Sequence, residues 1–147
     1  MSENLFSDRK NSEQIELGKK LAPKFNDAGL IPCITVDVES KEVLMFAWMN
    51  REALKMTIET GKATYYSRSR GKLWIKGESS GLAQQVEDVL VDCDQDVIQI
   101  KVNVEGEGTC HNGYRSCFYR SVKRDSSGDL EYVIKEKSFD PEKRYGK

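Results

Sequence analysis

The chain reads as an α+β protein, mainly antiparallel β with about two helices. Three observations predict this. About seven segments have strand character and only two have helical character. The clearest strand segments alternate apolar and polar residues with a period of two. Roughly the last 60 residues hold no helical segment, whereas a doubly wound α/β fold needs helices between its strands. A length of 147 residues suits one domain. The expected layout is an N-terminal segment with a weak helix over 1–28, a single domain over 29–137 and a frayed tail over 138–147.

In order along the chain, Asn11 or Ser12 can cap a short helix carrying Ile15, Leu17 and Leu21 toward one side, and Pro23 and Gly29 end it. From 30 to 38, Ile34, Val36 and Val38 share one face and Thr35 and Asp37 the other, the pattern of a half-buried strand. Glu39 to Glu42 is a turn. Val43 to Met49 is an apolar run short enough for a buried strand, and Asn50 can cap a helix containing Ala53, Leu54 and Ile58 that stops at Gly61. Strand character returns at Tyr65-Tyr66, turns through Ser67-Arg68-Ser69-Arg70-Gly71 and resumes at Leu73-Trp74-Ile75. Gly77 to Gly81 is a loop. Val86 to Val91 and Val97 to Val104 are strands flanking Asp92-Cys93-Asp94-Gln95-Asp96. A short strand is expected from Cys117 and a last one over Leu130 to Ile134.

Composition narrows the function. Apolar residues are 38% and charged residues 32%, a lean core that a partner subunit can complete. Twenty-three Lys and Arg against 24 Asp and Glu give a net charge of −1, so no global positive field holds a nucleic acid. No run approaches the ~18 apolar residues of a membrane span, and the first residues lack the basic start and apolar run of a secretory signal. The expectation is a cytoplasmic protein with no nucleic-acid or membrane partner. In that compartment the four cysteines, Cys33, Cys93, Cys110 and Cys117, point to metal binding or catalysis rather than disulfides. Cys33, within a strand, is read as structural.

Asp92-Cys93-Asp94-Gln95-Asp96 carries the most chemistry. Extended backbone would put the three carboxylates on one side and Cys93 on the other, hard oxygen ligands for Mg²⁺ or Ca²⁺ opposite a thiolate for Zn²⁺. An EF-hand is excluded, because its sixth and twelfth positions would be Val97 and Asn103 rather than Gly and Glu. A solvated acidic turn is the plain alternative. Cys110 and Cys117 flank the chain's single histidine, His111, and match neither a C-x-x-C zinc finger nor the zinc nucleobase deaminase pattern. Alone they can be two buried thiols. Joined by Cys93 they can form a three-thiolate zinc centre with an open fourth position. Three thiolates blunt the Lewis acidity of zinc, so such a centre needs a base, and His111 has the suitable pKa range. Ser67, Arg68 and Arg70 offer phosphate donors, as do the loop with Glu78, Ser79 and Ser80 and the pair Arg115 and Ser116.

Five segments together closely resemble the phosphoribosyl-AMP cyclohydrolase family of histidine biosynthesis. They are Asn50-Arg51-Glu52-Ala53-Leu54, Tyr66-Ser67-Arg68-Ser69-Arg70, Leu73-Trp74-Ile75-Lys76-Gly77-Glu78-Ser79-Ser80-Gly81, Asp92-Cys93-Asp94-Gln95-Asp96, and the run from Cys110-His111-Asn112-Gly113 through Cys117 to Arg120. The likeness spans about residues 29–121. It implies a homodimer with an intersubunit active site, with zinc held by Cys93 of one chain and by Cys110 and Cys117 of the other. It further implies magnesium on Asp92, Asp94 and Asp96; in that setting His111 is expected to act as the catalytic base, taking the proton from the attacking water. Substrate contacts are implied for Ser67, Arg68, Arg70, Trp74, Lys76, Glu78, Ser79, Ser80, Arg115 and Ser116. The implied reaction is hydrolytic opening of the purine ring of 1-(5-phosphoribosyl)-AMP by zinc-activated water, the third step of histidine biosynthesis. Members commonly carry His and Trp where this chain has Thr64 and Tyr66, and Thr and Arg where it has Asn112 and Tyr114. The competing readings are a divergent purine-nucleotide hydrolase and a non-catalytic zinc-stabilised nucleotide-binding module.

Overall fold

A computed structural model describes residues 5–77, 83–104 and 109–141. Its elements are α1 (Ser12–Leu17), β1 (Leu30–Asp37), β2 (Val43–Asn50), α2 (Arg51–Thr60), β3 (Thr64–Ser67), β4 (Lys72–Ile75), β5 (Gln84–Val91), β6 (Ile98–Val104), β7 (Arg120–Val122) and β8 (Leu130–Tyr132). The fold is α+β, as expected. Among the described residues, no helix is long and apolar enough to cross a membrane.

The helices begin and end where local chemistry dictates. Asn50 caps α2 by accepting from the Ala53 N–H at 2.8 Å, and Gly61 ends it in the left-handed region at φ 73°. The helix buries Ala53, Leu54 and Thr57, and Thr57 Oγ1 accepts from the Thr64 N–H at 3.0 Å, tying it to β3. Asn11 caps α1 in the same way, but this short helix buries no residue and Leu17 is 81% exposed. The N-terminal segment is held through Phe6 and Phe25, which pack on the core, and the buried Ala22, rather than through α1.

Six strands form one sheet in the order β4-β3-β2-β1-β6-β5; every pair is antiparallel except β1 with β6. The residues before β3 also reach the far edge, where Lys62 bridges Gln85 and the Val86 N–H donates to Gly61 O at 2.8 Å. The sheet thus curls until β5 meets the start of β3, which protects an edge that would otherwise be open. Ile31, Cys33, Met49, Tyr65, Ile98, Ile100 and Val102 fill the interior beside Ala53 and Leu54. A smaller cluster of Cys110, Tyr114 and Ile134, with Tyr119 against it, underlies the β7-β8 hairpin.

Four local expectations are corrected. In β1 the inward face carries Ile31, Cys33 and Thr35 rather than Ile34 and Val36, because Thr35 finds a buried partner in the Tyr65 hydroxyl at 2.7 Å, which in turn donates to Gln84 Oε1 at 2.6 Å. β2 is buried on one side only: Val43 and Phe46 are exposed. Residues 92–96 form a turn instead of extended backbone, since Gln95 takes a left-handed φ of 58°. Lastly, β7 starts at Arg120 rather than Cys117, whose N–H is used on the carbonyl of Leu44 at 2.7 Å. At the segment expected to fray, the Ser138 N–H donates to Gly113 O at 2.6 Å and Phe139 is buried.

The core makes alkaline stability predictable. Burial pushes the Cys33 thiol up to about 12 and the Tyr65 hydroxyl well above its ordinary value. Both stay protonated in the native chain at pH values where the unfolded chain releases their protons. Their contribution is complete below about pH 8.5 and is lost as pH rises toward the native values, at about 1.4 kcal/mol per pH unit for each group. Urea midpoints measured from about pH 8 to about pH 11 should fall accordingly, and Cys33→Val should remove its share of the slope.

Candidate active site

The Asp92–Asp96 turn is built by its first residue. Asp92 Oδ1 accepts from the N–H groups of Asp96 at 2.9 Å and Val97 at 3.1 Å, while its carbonyl accepts from Gln95 N–H at 3.0 Å. The fold back brings one carboxylate oxygen from each of Asp92, Asp94 and Asp96 within 4.8 Å of one another. The convergence expected of these three residues is present, through a turn rather than through strand periodicity. Burial alone would raise Asp92, but hydrogen bonds from the Asp96 side chain and the Val97 and Asp96 amides outweigh it and hold that carboxyl below its usual range. Hydrogen bonding with Asp92 and Asp94 pushes Asp96 up to about 6. Three crowded carboxylates that disfavour one another's charge are what a cation would relieve. Cys93 is exposed on the same turn and lines a cleft of about 550 Å³ with Ile15, Lys19, Lys20, Ile58 and Val89.

The second group lies on the segment 109–119. A tight turn at Gly113, φ 97°, returns the Tyr114 carbonyl to the Cys110 N–H at 3.0 Å and leaves His111 exposed at its tip. Tyr114 is buried and stacks on Tyr119 with ring centroids 4.0 Å apart. Interaction with the Cys117 side chain lowers Cys110 to about 6, with help from the Asn112 amide, His111 and Lys76 against the effect of burial, and the reciprocal effect raises Cys117. Lys76 reaches the two cysteines from the end of β4: it is buried, its Nζ donates to the Thr109 carbonyl at 2.9 Å, and it lies 5.4 Å from the Trp74 ring.

The remaining expected contacts fall in different surroundings. Ser67, Arg68 and Arg70 sit on the β3-β4 turn; Arg70 Nε donates to Ser67 Oγ at 3.4 Å, and Arg68 lies 5.1 Å from the Trp48 ring. Trp74 is half-buried against Tyr65. Arg115 makes two hydrogen bonds to Glu42, at 2.8 and 3.2 Å, and Ser116 Oγ donates to the Val43 carbonyl at 2.7 Å. Glu78, Ser79 and Ser80 lie outside the described residues. Nothing in the sequence marks Glu42 beyond its place in a turn, and the one signal for Gln95 is that it alone in 92–96 is neither carboxylate nor thiol.

The three thiols do not meet within one chain. Zn–S bonds of about 2.3 Å place sulfur ligands within roughly 4 Å of each other. Among the described residues, the only three metal-ligating groups that close within 4.8 Å are the aspartates. Cys93 lies between β5 and β6, whereas the Cys117 backbone is bonded to β2.

A family model described as phosphoribosyl-AMP cyclohydrolase matches residues 45–119, just over half of the chain. The chain belongs to the phosphoribosyl-AMP cyclohydrolase family. A Rhodopseudomonas palustris (strain HaA2) protein of that name is 53% identical over 137 residues, 92% of this chain and 93% of the relative. The Chlorobium limicola protein is 51% identical over 92% of this chain and 96% of its own length, and the Chlorobium phaeovibrioides protein 56% over 84% and 88%. The family model begins inside β2, so the N-terminal segment that covers the aspartate turn lies outside it, while the Rhodopseudomonas and Chlorobium limicola likenesses each span 92% of the chain.

Proposed function

We propose that this chain opens the purine ring of 1-(5-phosphoribosyl)-AMP by hydrolysis, as the third step of histidine biosynthesis. The observation that carries the reading is Cys110 and Cys117 interacting at one site, with His111 and the buried Lys76 near enough to favour the charged form of Cys110, in a chain of this family. Two such thiols are a soft donor set suited to zinc, and Cys93, exposed and not converging with them in its own chain, can complete the set of a second copy. The aspartate turn is a hard donor set suited to magnesium. Cys110, Cys117 and a second copy's Cys93 would hold zinc, which would supply Lewis-acid activation of the water that adds to carbon 6 of the purine.

The chain's own residues do the rest. His111, exposed at the tip of the Cys110 turn, accepts the proton released by the water, and its position next to a ligand keeps it within reach of the site. The bond from carbon 6 to the ribosylated nitrogen then breaks, and that nitrogen takes the proton that His111 holds, leaving a carboxamide at the former carbon 6. The arginine turn at Ser67–Arg70 supplies donors for one of the two phosphates. Arg115 becomes available to the other only by leaving Glu42. The partner copy makes the chain a homodimer with two shared sites.

Purified protein, stripped of metal and then given zinc and magnesium, should change the absorbance of phosphoribosyl-AMP as the ring opens, and the stripped protein should not. Equal rates with and without metal would sink the zinc role. Ring opening of a different purine nucleotide alone would make the chain a divergent hydrolase, and binding without turnover would make it a nucleotide-binding module.

A further inference from the structure

Four of the five residues from Asp92 to Asp96 carry ligand groups; the fifth, Gln95, turns inward and is 4% exposed. Its side chain makes three hydrogen bonds to the N-terminal segment. Nε2 donates to the carbonyls of Ile15 at 2.9 Å and Lys20 at 3.2 Å, and Oε1 accepts from the Ala22 N–H at 2.8 Å. Its own carbonyl accepts from the Lys24 N–H at 2.8 Å. Arg9 adds a second tie, donating to the carbonyls of Ala22 at 2.6 Å and Asp94 at 3.0 Å.

These bonds matter because each side needs the other. Phe6 and Phe25 pack on the core and Ala22 is buried, but the stretch between them carries α1, which buries no residue, and Gln95 has a left-handed backbone that a residue with a side chain adopts at a cost. A strained conformation persists when its surroundings over-determine it. We infer that Gln95 is a positioning residue for the reaction: with Arg9 it latches the N-terminal segment to the turn and so fixes the geometry in which Asp92, Asp94 and Asp96 meet. The inference rests on the reading of that turn as a metal site.

Glycine separates the latch from local backbone preference, since Gln95→Gly removes the side-chain bonds yet relieves the left-handed strain. Titration of the zinc-loaded full-length protein with Mn²⁺, followed by electron paramagnetic resonance, should give affinities about tenfold weaker for Gln95→Gly and for the similarly sized Gln95→Met. Arg9→Ala should weaken binding less, and Arg9→Ala with Gln95→Gly should lose less than the sum of the two. Circular dichroism identifies the folded variants; if neither Gln95 variant folds, Arg9→Ala alone must show the loss. Amide exchange at Ala22 and Lys24 should quicken in step with the weaker binding. A folded Gln95→Gly with wild-type Mn²⁺ affinity overturns the latch, as does unchanged affinity in a folded Arg9→Ala when it stands alone. Wild-type protein whose Mn²⁺ affinity is unchanged by Asp94→Asn overturns the metal site first and the latch with it.

Discussion

Mixing Cys93→Ala protomers with Cys110→Ala protomers is expected to restore turnover that neither variant has alone. Each homodimer lacks a zinc ligand in both of its sites, so each should lose zinc and activity together. In a mixed dimer the defects segregate. One site combines both substitutions, while the other combines an intact Cys93 from the Cys110→Ala chain with intact Cys110 and Cys117 from the Cys93→Ala chain. Random exchange makes half the dimers mixed, each with one good site of two, and recovery should approach about a quarter of wild-type turnover. The geometry requires this outcome if zinc takes all three thiols, because only Cys110 and Cys117 adjoin within a chain and Cys93 is on a different turn. Tagged chains should demonstrate the mixed dimer and metal analysis its zinc content. Mixed dimers without recovery would refute a shared site, and a Cys110→Ala homodimer with full zinc and full rate would remove the zinc assignment altogether.

Features set by neighbours in the chain could be read from the sequence, and features set by distant partners could not. Asn50 and Gly61 delimit α2 because a cap acts within one helical turn. Ile98, Ile100 and Val102 alternate inward because a strand against a core has period two. Thr35 defeats the same rule: its burial depends on Tyr65 and Gln84, 30 and 49 residues away, and polarity alone assigned it to solvent. The candidate ligands are visible in the sequence as residue types, three aspartates alternating around a cysteine and two further cysteines beside the single histidine. Their geometry is not, because the left-handed Gln95 that folds the turn is held by carbonyls from an N-terminal segment about 75 residues earlier. Arg115 and Ser116 looked like free anion donors, but the sequence contains no sign that β2 and Glu42 would engage them.

Lys76 distinguishes two mechanisms that the sequence leaves equivalent. A lysine that binds a substrate phosphate should stand at the surface with its ammonium free, and its loss should raise KM with zinc retained. Lys76 is instead buried, with its ammonium on the carbonyl of Thr109, the residue before Cys110, and close enough to both thiols to favour their charged forms. Substituting Lys76→Met keeps most of the stem, leaves the Thr109 carbonyl unpaired at a cost of about 1–3 kcal/mol, and removes the positive charge beside the sulfur pair. Zinc affinity, measured by competition with a chromogenic chelator, should fall about 10- to 100-fold, the usual effect of losing a group that supports metal ligands. At saturating zinc the KM for phosphoribosyl-AMP should remain near wild type. Lys76→Arg keeps the charge but must fit a planar fork where a single ammonium meets one carbonyl, so it should recover only part of the affinity. An unchanged zinc affinity with a raised KM would return Lys76 to the substrate, and Cys110 would then owe its charged form to Cys117, the Asn112 amide and His111 alone.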